Sequence, residues 1–213
     1  MNRYIASTLI FASLSLPAFA SDPKAHGEVA VAQAIIKEIR TQNADYIKSH
    51  KPDFFQALAK GQKPRATVVT CSDSRVHTNM LDETPEGDLF MIRNIGNQLS
   101  TAEGSVEYGI NHLNSSLLLI IGHSACGAIK AAGGDYSGLE PAIKRELDTI
   151  KIEKGGSNIN GVKANVNNQV SVSMMKFADK VKAGHLMIAG AVYDFSDDMK
   201  QGAGGLNIIN ING

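Results

Sequence analysis

The chain has 213 residues, and its 21 Lys and Arg against 21 Asp and Glu give a formal charge of zero at neutral pH. A near-neutral chain without a basic block has no electrostatic basis for binding nucleic acid. With 43% hydrophobic residues, the length suits one domain with an adequate core.

The first twenty residues stand apart from the fold. Arg3 supplies a positive start, Ile5 to Leu16 form a short apolar run, and Ala18-Phe19-Ala20 is a small-x-small cleavage site before Ser21-Asp22. This is the layout of a secretory signal peptide, and the apolar run is short for a bilayer span. The expected organisation is a leader over residues 1–20, cleaved after Ala20, and one domain over residues 21–213, periplasmic or secreted. The leader contains Arg3 and no acid, so the mature chain carries 20 basic and 21 acidic residues, a net charge of −1 (20 − 21). No later segment approaches the ~20 apolar residues of a membrane helix, so no membrane partner is expected.

From about Glu28, Ala32, Ile35, Ile36 and Ile39 recur at helical spacing with charged residues between them. Pro52-Asp53 opens a short second helix, Phe54 to Lys60, ended by Gly61. A strand over Ala66 to Thr70 and another over Asp88 to Arg93 follow breaker segments. Ser100 to Leu113 reads as a helix, Ser116 to Ile121 as a buried strand, and Gly127 to Ala132 as the start of a helix. Two helices are expected at Pro141 to about Ile152 and Val162 to about Val181, separated by the linker Gly155-Gly156-Ser157-Asn158. A last strand, His185 to Tyr193, leads into a glycine-rich tail. Strands alternating with helices predict an α/β fold with a mostly parallel central sheet flanked by helices.

Two segments at the ends of strands carry the chemistry. Thr70-Cys71-Ser72-Asp73-Ser74-Arg75-Val76 follows the first strand, and Gly122-His123-Ser124-Ala125-Cys126-Gly127 follows the third. They hold both cysteines of the chain, and Cys126 lies three residues after His123. In open α/β sheets, sites lie outside the carboxyl ends of the strands, where both loops fall. Two thiolates and an imidazole suit Zn²⁺ with a position left open. In an exported protein the same cysteines could instead form a disulfide, and free-thiol titration with metal analysis separates the two. An acid two residues from a ligand, with a guanidinium beside it, can cap the metal or orient a water upon it.

The order Cys71-x-Asp73-x-Arg75, Arg93-Asn94-x-Gly96-Asn97, Glu107-Tyr108, Gly122-His123-Ser124-x-Cys126-Gly127 resembles the β-class carbonic anhydrases. Gln62 and Gly190-Ala191-Val192-Tyr193-Asp194 extend the resemblance over roughly Phe54 to Tyr193. It implies zinc held by Cys71, His123 and Cys126, and reversible hydration of carbon dioxide to bicarbonate and a proton by a zinc-bound hydroxide. Asp73 orients that hydroxide, or ligates zinc in the family's closed form, and Arg75 clamps Asp73. Gln62, Phe90, Ile95, Tyr108 and Gly127 belong by the same resemblance to the substrate site, with Phe90 and Tyr108 reaching in from a partner subunit. The implied assembly is a homodimer or homotetramer whose N-terminal helices pack on the partner. Members switched by bicarbonate carry a tryptophan where this chain has Val68, so the open, unregulated form is expected. After Asp194 the family's usual Thr-Gly turn is replaced by Ser196-Asp197-Asp198.

His77, six residues after Cys71, is a candidate proton shuttle, since an imidazole titrates near neutrality. Two other functions use the same fold: a non-catalytic zinc or anion-binding protein, and a zinc hydrolase of carbon disulfide or carbonyl sulfide. The first has no need of Asp73, Arg75 and Gln62; the second is separated only by parallel assays.

Overall fold

The computed structural model describes residues 23–213, and the expected leader and its cleavage site lie outside them. The chain divides after Phe55 into two compact units. The first holds α1 (Pro23–Ser49) and the beginning of α2 (Pro52–Leu58). Within it, Tyr46, His50, Phe54 and Phe55 form an aromatic cluster, with His50 centred 4.2 Å from Tyr46 and 4.4 Å from Phe54. This cluster fixes the elbow between the two helices, and Pro52 suits the first turn of the second because its missing N–H costs nothing there. Val31, Ile35, Ile36 and Ile39 of α1 are exposed.

The second unit is built on β1 (Ala66–Cys71), β2 (Leu89–Asn94), β3 (Leu117–His123), β4 (Met187–Asp194) and β5 (Gly205–Ile211). Their order is β2-β1-β3-β4-β5; the first four are parallel and β5 runs antiparallel to β4. The chain leaves β1 on one side for β2 and returns on its other side as β3. The carboxyl ends of β1 and β3 therefore flank the point where strand order reverses, the usual place for a site in such sheets. Central strands of a parallel sheet are covered on both faces, which is why β1 and β3 read as near-continuous apolar runs.

Five helices complete the unit: α3 (Glu103–Glu107), α4 (Gly127–Ala132), α5 (Pro141–Leu147), α6 (Asn158–Lys176) and α7 (Ala178–Lys182). On one sheet face Val69, Leu118, Ile120 and Ile188 pack with Val106, Ile110, Val170 and Phe177. The long helix α6 lies close because Gly122 and Gly190 have no side chains: a Cβ at Gly122 would meet Val162 Cγ1 at 2.7 Å, and one at Gly190 would meet Val166 Cγ1 at 2.6 Å. The opposite face gathers Ala66, Val68, Leu119, Ile121, Ala189 and Ala191, and leaves an apolar groove of about 370 Å³. A third cluster lies towards the carboxyl ends of the strands, where Cys71 and Cys126 pack with Ile129, Leu147, Ile150, Val162 and Val192.

Several elements differ from the expectation. The glycine-rich tail is not irregular: Gly205 to Ile211 adds the antiparallel edge strand β5, with a register shift beside Gly190/Ala191. The helix expected from Ser100 begins at Glu103, because Asn94 bonds Thr101 and the Gln98 backbone and draws the preceding residues into a turn. It then widens into a π-helical turn over Tyr108–His112. There Gly109 approaches β1 so closely that a Cβ would meet Thr67 Oγ1 at 2.2 Å. The helix expected to reach Ile152 ends at Leu147, where the Thr149 hydroxyl bonds the Glu146 carbonyl and Ile150 turns inward. The next begins four residues earlier than expected, at Asn158, and breaks at the buried Phe177 before α7.

Candidate metal centre

Cys71 is the last residue of β1 and His123 the last of β3, so the sheet itself sets both. His123 was expected in a loop; it is the final strand residue, in register with Tyr193. Cys126 follows after a tight turn and stands immediately before α4. Ala125 in that turn has a φ of +54°, a left-handed conformation that a non-glycine residue adopts at a cost of about 1–2 kcal/mol.

The two sulfurs and one imidazole nitrogen lie within 4.8 Å of one another, and all three residues are buried. His123 is fully buried, and its Nδ1–H donates to the Ser124 carbonyl at 2.9 Å. That bond puts the proton on Nδ1 and leaves Nε2 with a bare lone pair. Nε2 has no hydrogen-bond partner, a cost in a buried site unless something else takes the lone pair. A metal ion does so. With two soft sulfur donors and one imidazole, the donor set fits zinc with a position left open.

The thiols also favour an ion. The Cys126 thiol draws the Cys71 thiol well below its ordinary value against the effect of burial, with the Gly96 and Asp73 amides pulling the same way. The same pairing, together with burial, pushes Cys126 up. A bound ion would satisfy both sulfurs.

Asp73 stands beside this group with Oδ2 3.8 Å from His123 Nε2. Arg75 grips it in a fork: its Nε donates to Oδ1 at 2.9 Å and its Nη2 to Oδ2 at 2.7 Å, while its backbone N–H adds a third bond to Oδ1. The guanidinium hydrogen bond holds the Asp73 carboxyl well below the usual carboxylate range, against a smaller opposing effect of burial. Arg75 in turn lies over the Phe195 ring, 4.7 Å from its centre, and reaches the Ala125 carbonyl. The Phe195 ring also stacks on His123, with centroids 5.8 Å apart. Arg93 ties the loop from below, donating to the carbonyls of Cys71 and Asp73.

The other expected site residues are spread more widely. Gln62 is exposed in the segment before β1, and Gly127 is exposed at the start of α4 with open space beside it. Ile95 is half-buried directly after β2, at the level of the metal group, because Asn94 pairs with Cys71. Phe90 pairs with Thr67, four residues back along the strand, roughly 13 Å from that level at 3.3 Å per residue. It packs on Tyr108 at 5.9 Å, and Tyr108 is half-exposed. His77 is exposed beyond the first loop. Phe195 and Asn158, which bonds the Cys126 backbone, were not foreseen. Phe195 had a signal in its nearness to Tyr193-Asp194; Asn158 had none, since it lies 32 residues from Cys126.

A family model described as carbonic anhydrase matches residues 66–200. The carbonic anhydrase of Synechococcus elongatus is 42% identical over 103 residues, covering 45% of this chain and 38% of its own length. Carbonic anhydrase 2 of Mycobacterium tuberculosis is 29% identical over 163 residues, covering 70% of this chain and 79% of its own. Among solved structures, tetrameric β-carbonic anhydrases of Sordaria macrospora superpose with a TM-score of 0.69 at 26% identity, covering 84% of this chain and 98% of theirs.

Proposed function

The chain belongs to the β-class carbonic anhydrase family, and from that premise we propose that it hydrates carbon dioxide reversibly to bicarbonate and a proton. The observation that carries the proposal is an ionised carboxylate held in an arginine fork beside two cysteines and a histidine with a free Nε2. Cys71, His123 and Cys126 would hold zinc. When bound, zinc supplies Lewis acidity that lowers the pKa of a water towards ~7.

Asp73 has two features that define its part. Its carboxyl lies well below the ordinary range, so at neutral pH it is a poor proton acceptor. Its Oδ2 faces the metal group and keeps lone-pair capacity after accepting from Arg75. Asp73 therefore accepts a hydrogen bond from the attacking water and aims the remaining lone pair at the substrate carbon. Arg75 holds the carboxylate towards itself and off the metal, the open arrangement. A C–O bond forms as one π bond of carbon dioxide opens onto its oxygen, the water O–H bond breaks, and the proton leaves by way of solvent, with the exposed His77 as the proposed relay.

In the alternative, closed arrangement Asp73 turns from Arg75 to ligate the metal itself. Ile95 and Gly127 are assigned to substrate from this chain, whereas Gln62 precedes the amino end of β1, the end away from Cys71, and is assigned to the pocket of a partner. Phe90, set back along β2, and Tyr108, in the π-helical turn that packs on it, are likewise assigned to a pocket of the partner subunit, so the working unit is a homodimer or a tetramer. Among the described residues no helix is long and apolar enough to cross a membrane. The leader reading places the mature protein in the periplasm or outside the cell, and a purified exported form beginning at Ser21 tests that.

The deciding experiment pairs metal analysis with a hydration assay. One zinc per chain, and hydration that falls by about two orders of magnitude in Asp73→Asn while zinc is retained, supports the proposal. Protein with stoichiometric zinc and no hydration activity would instead be a zinc-binding relative without catalysis.

A further inference from the structure

Asn158 is the first residue of α6, and its side chain reaches the peptide of Cys126. Its Oδ1 accepts from the Cys126 N–H at 3.1 Å, and its Nδ2 donates to the Cys126 carbonyl at 3.0 Å. One carboxamide thus pairs with both polar atoms of the ligand's own residue, as a neighbouring strand would. The place needs such a support. Cys126 follows the left-handed Ala125 beyond the end of β3 and caps α4, where its carbonyl accepts from the Lys130 N–H and its own N–H is left to the Asn158 side chain.

The same helix supports the other sulfur. Asn165, two turns along α6, donates to the Gly96 carbonyl at 2.9 Å and accepts from Gln98. The amide of Gly96 faces the Cys71 sulfur. Between the two asparagines, Val162 fills the gap over Gly122, so the helix is seated on the sheet right beside His123. One rigid element therefore touches the Cys126 turn directly and the loop after β2 that carries Gly96.

We propose that Asn158 is a positioning residue for the metal centre, holding the Cys126 sulfur at the spacing from Cys71 and His123 that an ion requires. This rests on the metal-centre assignment. Hydrogen-bonding partners behind metal ligands commonly set affinity by 10–100-fold, because an ion binds tightly only to donors already in place.

The test measures zinc affinity by competition with a colorimetric chelator on the full chain, for the parent, Asn158→Leu and Asn168→Ala. Asn168 donates to the Lys151 carbonyl from the same helix and touches neither cysteine segment, so it controls for the loss of a helix-to-loop bond. Asn158→Leu is expected to lose about 10–100-fold in zinc affinity. Its cobalt-substituted form should show an altered visible spectrum, while Asn168→Ala matches the parent in both. If leucine prevents folding, Asn158→Asp keeps the acceptor for the Cys126 N–H, removes the donor, and is expected to weaken zinc in the same direction. Equal zinc affinity and an equal cobalt spectrum for Asn158→Leu and Asn168→Ala would overturn the inference. A parent protein that binds no zinc would overturn the metal-centre assignment itself.

Discussion

Arg75 acts on Asp73 in two ways that can be pulled apart. It lowers the carboxyl, and it fixes the direction in which Oδ2 points. At neutral pH the loss of Arg75 acts mainly through the second, because a carboxylate at its ordinary value of about 3.9 is still ionised there. Arg75→Gln should therefore cut kcat at pH 7 by about tenfold or more, ~1.4 kcal/mol of barrier, with zinc content unchanged. Full activity in that variant would show that the fork is dispensable. Asp194 offers a matching prediction for stability. It is fully buried, which pushes its carboxyl up, but bonds from the Met199, Asp198 and Ser196 amides and the Ser124 hydroxyl outweigh that and hold it below the ordinary range. A lowered folded value means stability that is present above about pH 4 and lost as pH falls through the folded value. Asp194→Asn should be less stable by about 1.5–3 kcal/mol at pH 7, with the gap narrowing below pH 4, as read by urea unfolding at both pH values. The expected ligands were legible because both cysteines and His123 sit in short strand-end segments with a carboxylate and guanidinium beside them. Phe195 and Asn158 were not, because what they do depends on which elements the fold brings together.

Helix α6 can approach β3 and β4 only where the strands lack side chains. Gly190 tests this away from the metal ligands: an added Cβ would meet Val166 Cγ1 at 2.6 Å and Val170 Cγ2 at 2.9 Å. Gly190→Ala should cost about 1–3 kcal/mol through overpacking, measured by thermal or urea unfolding. Adding Val166→Ala should recover part of that loss by clearing the nearer contact, a coupling that two independent sites would not show. The sequence pattern conveyed the strands β1 to β4 because each is a compact apolar run, and conveyed α6 from its length. It did not convey β5, where Asn207 and Asn210, poor strand formers, follow a glycine cluster, and pairing with β4 overrides local preference. Nor could it show the π-turn at Tyr108–His112, which answers to the contact of Gly109 with Thr67 and not to any periodicity.

At the scale of the whole molecule, two apolar stretches stand out among the described residues. Val31, Ile35, Ile36 and Ile39 line exposed positions of α1, between 50% and 61% exposed for the four. In the second unit, Val68, Leu81, Leu89, Leu117 and Leu119 line the groove on the sheet face opposite α6. Large exposed apolar patches commonly mark interaction sites. The substrate site gives a second reason for association, since Phe90 stands roughly 13 Å along β2 from the level of the metal group in its own chain. An isolated chain would then hold zinc and lack part of its pocket. Ile36→Glu combined with Ile39→Glu should shift the protein to a smaller species in sedimentation velocity. Zinc per chain should stay the same, because Cys71, His123 and Cys126 all belong to one chain. Hydration activity should fall with the fraction dissociated and recover as protein concentration is raised. A dissociated species with undiminished activity per zinc would show that each chain carries a complete pocket, and Phe90 and Tyr108 would then have no part in the neighbouring site.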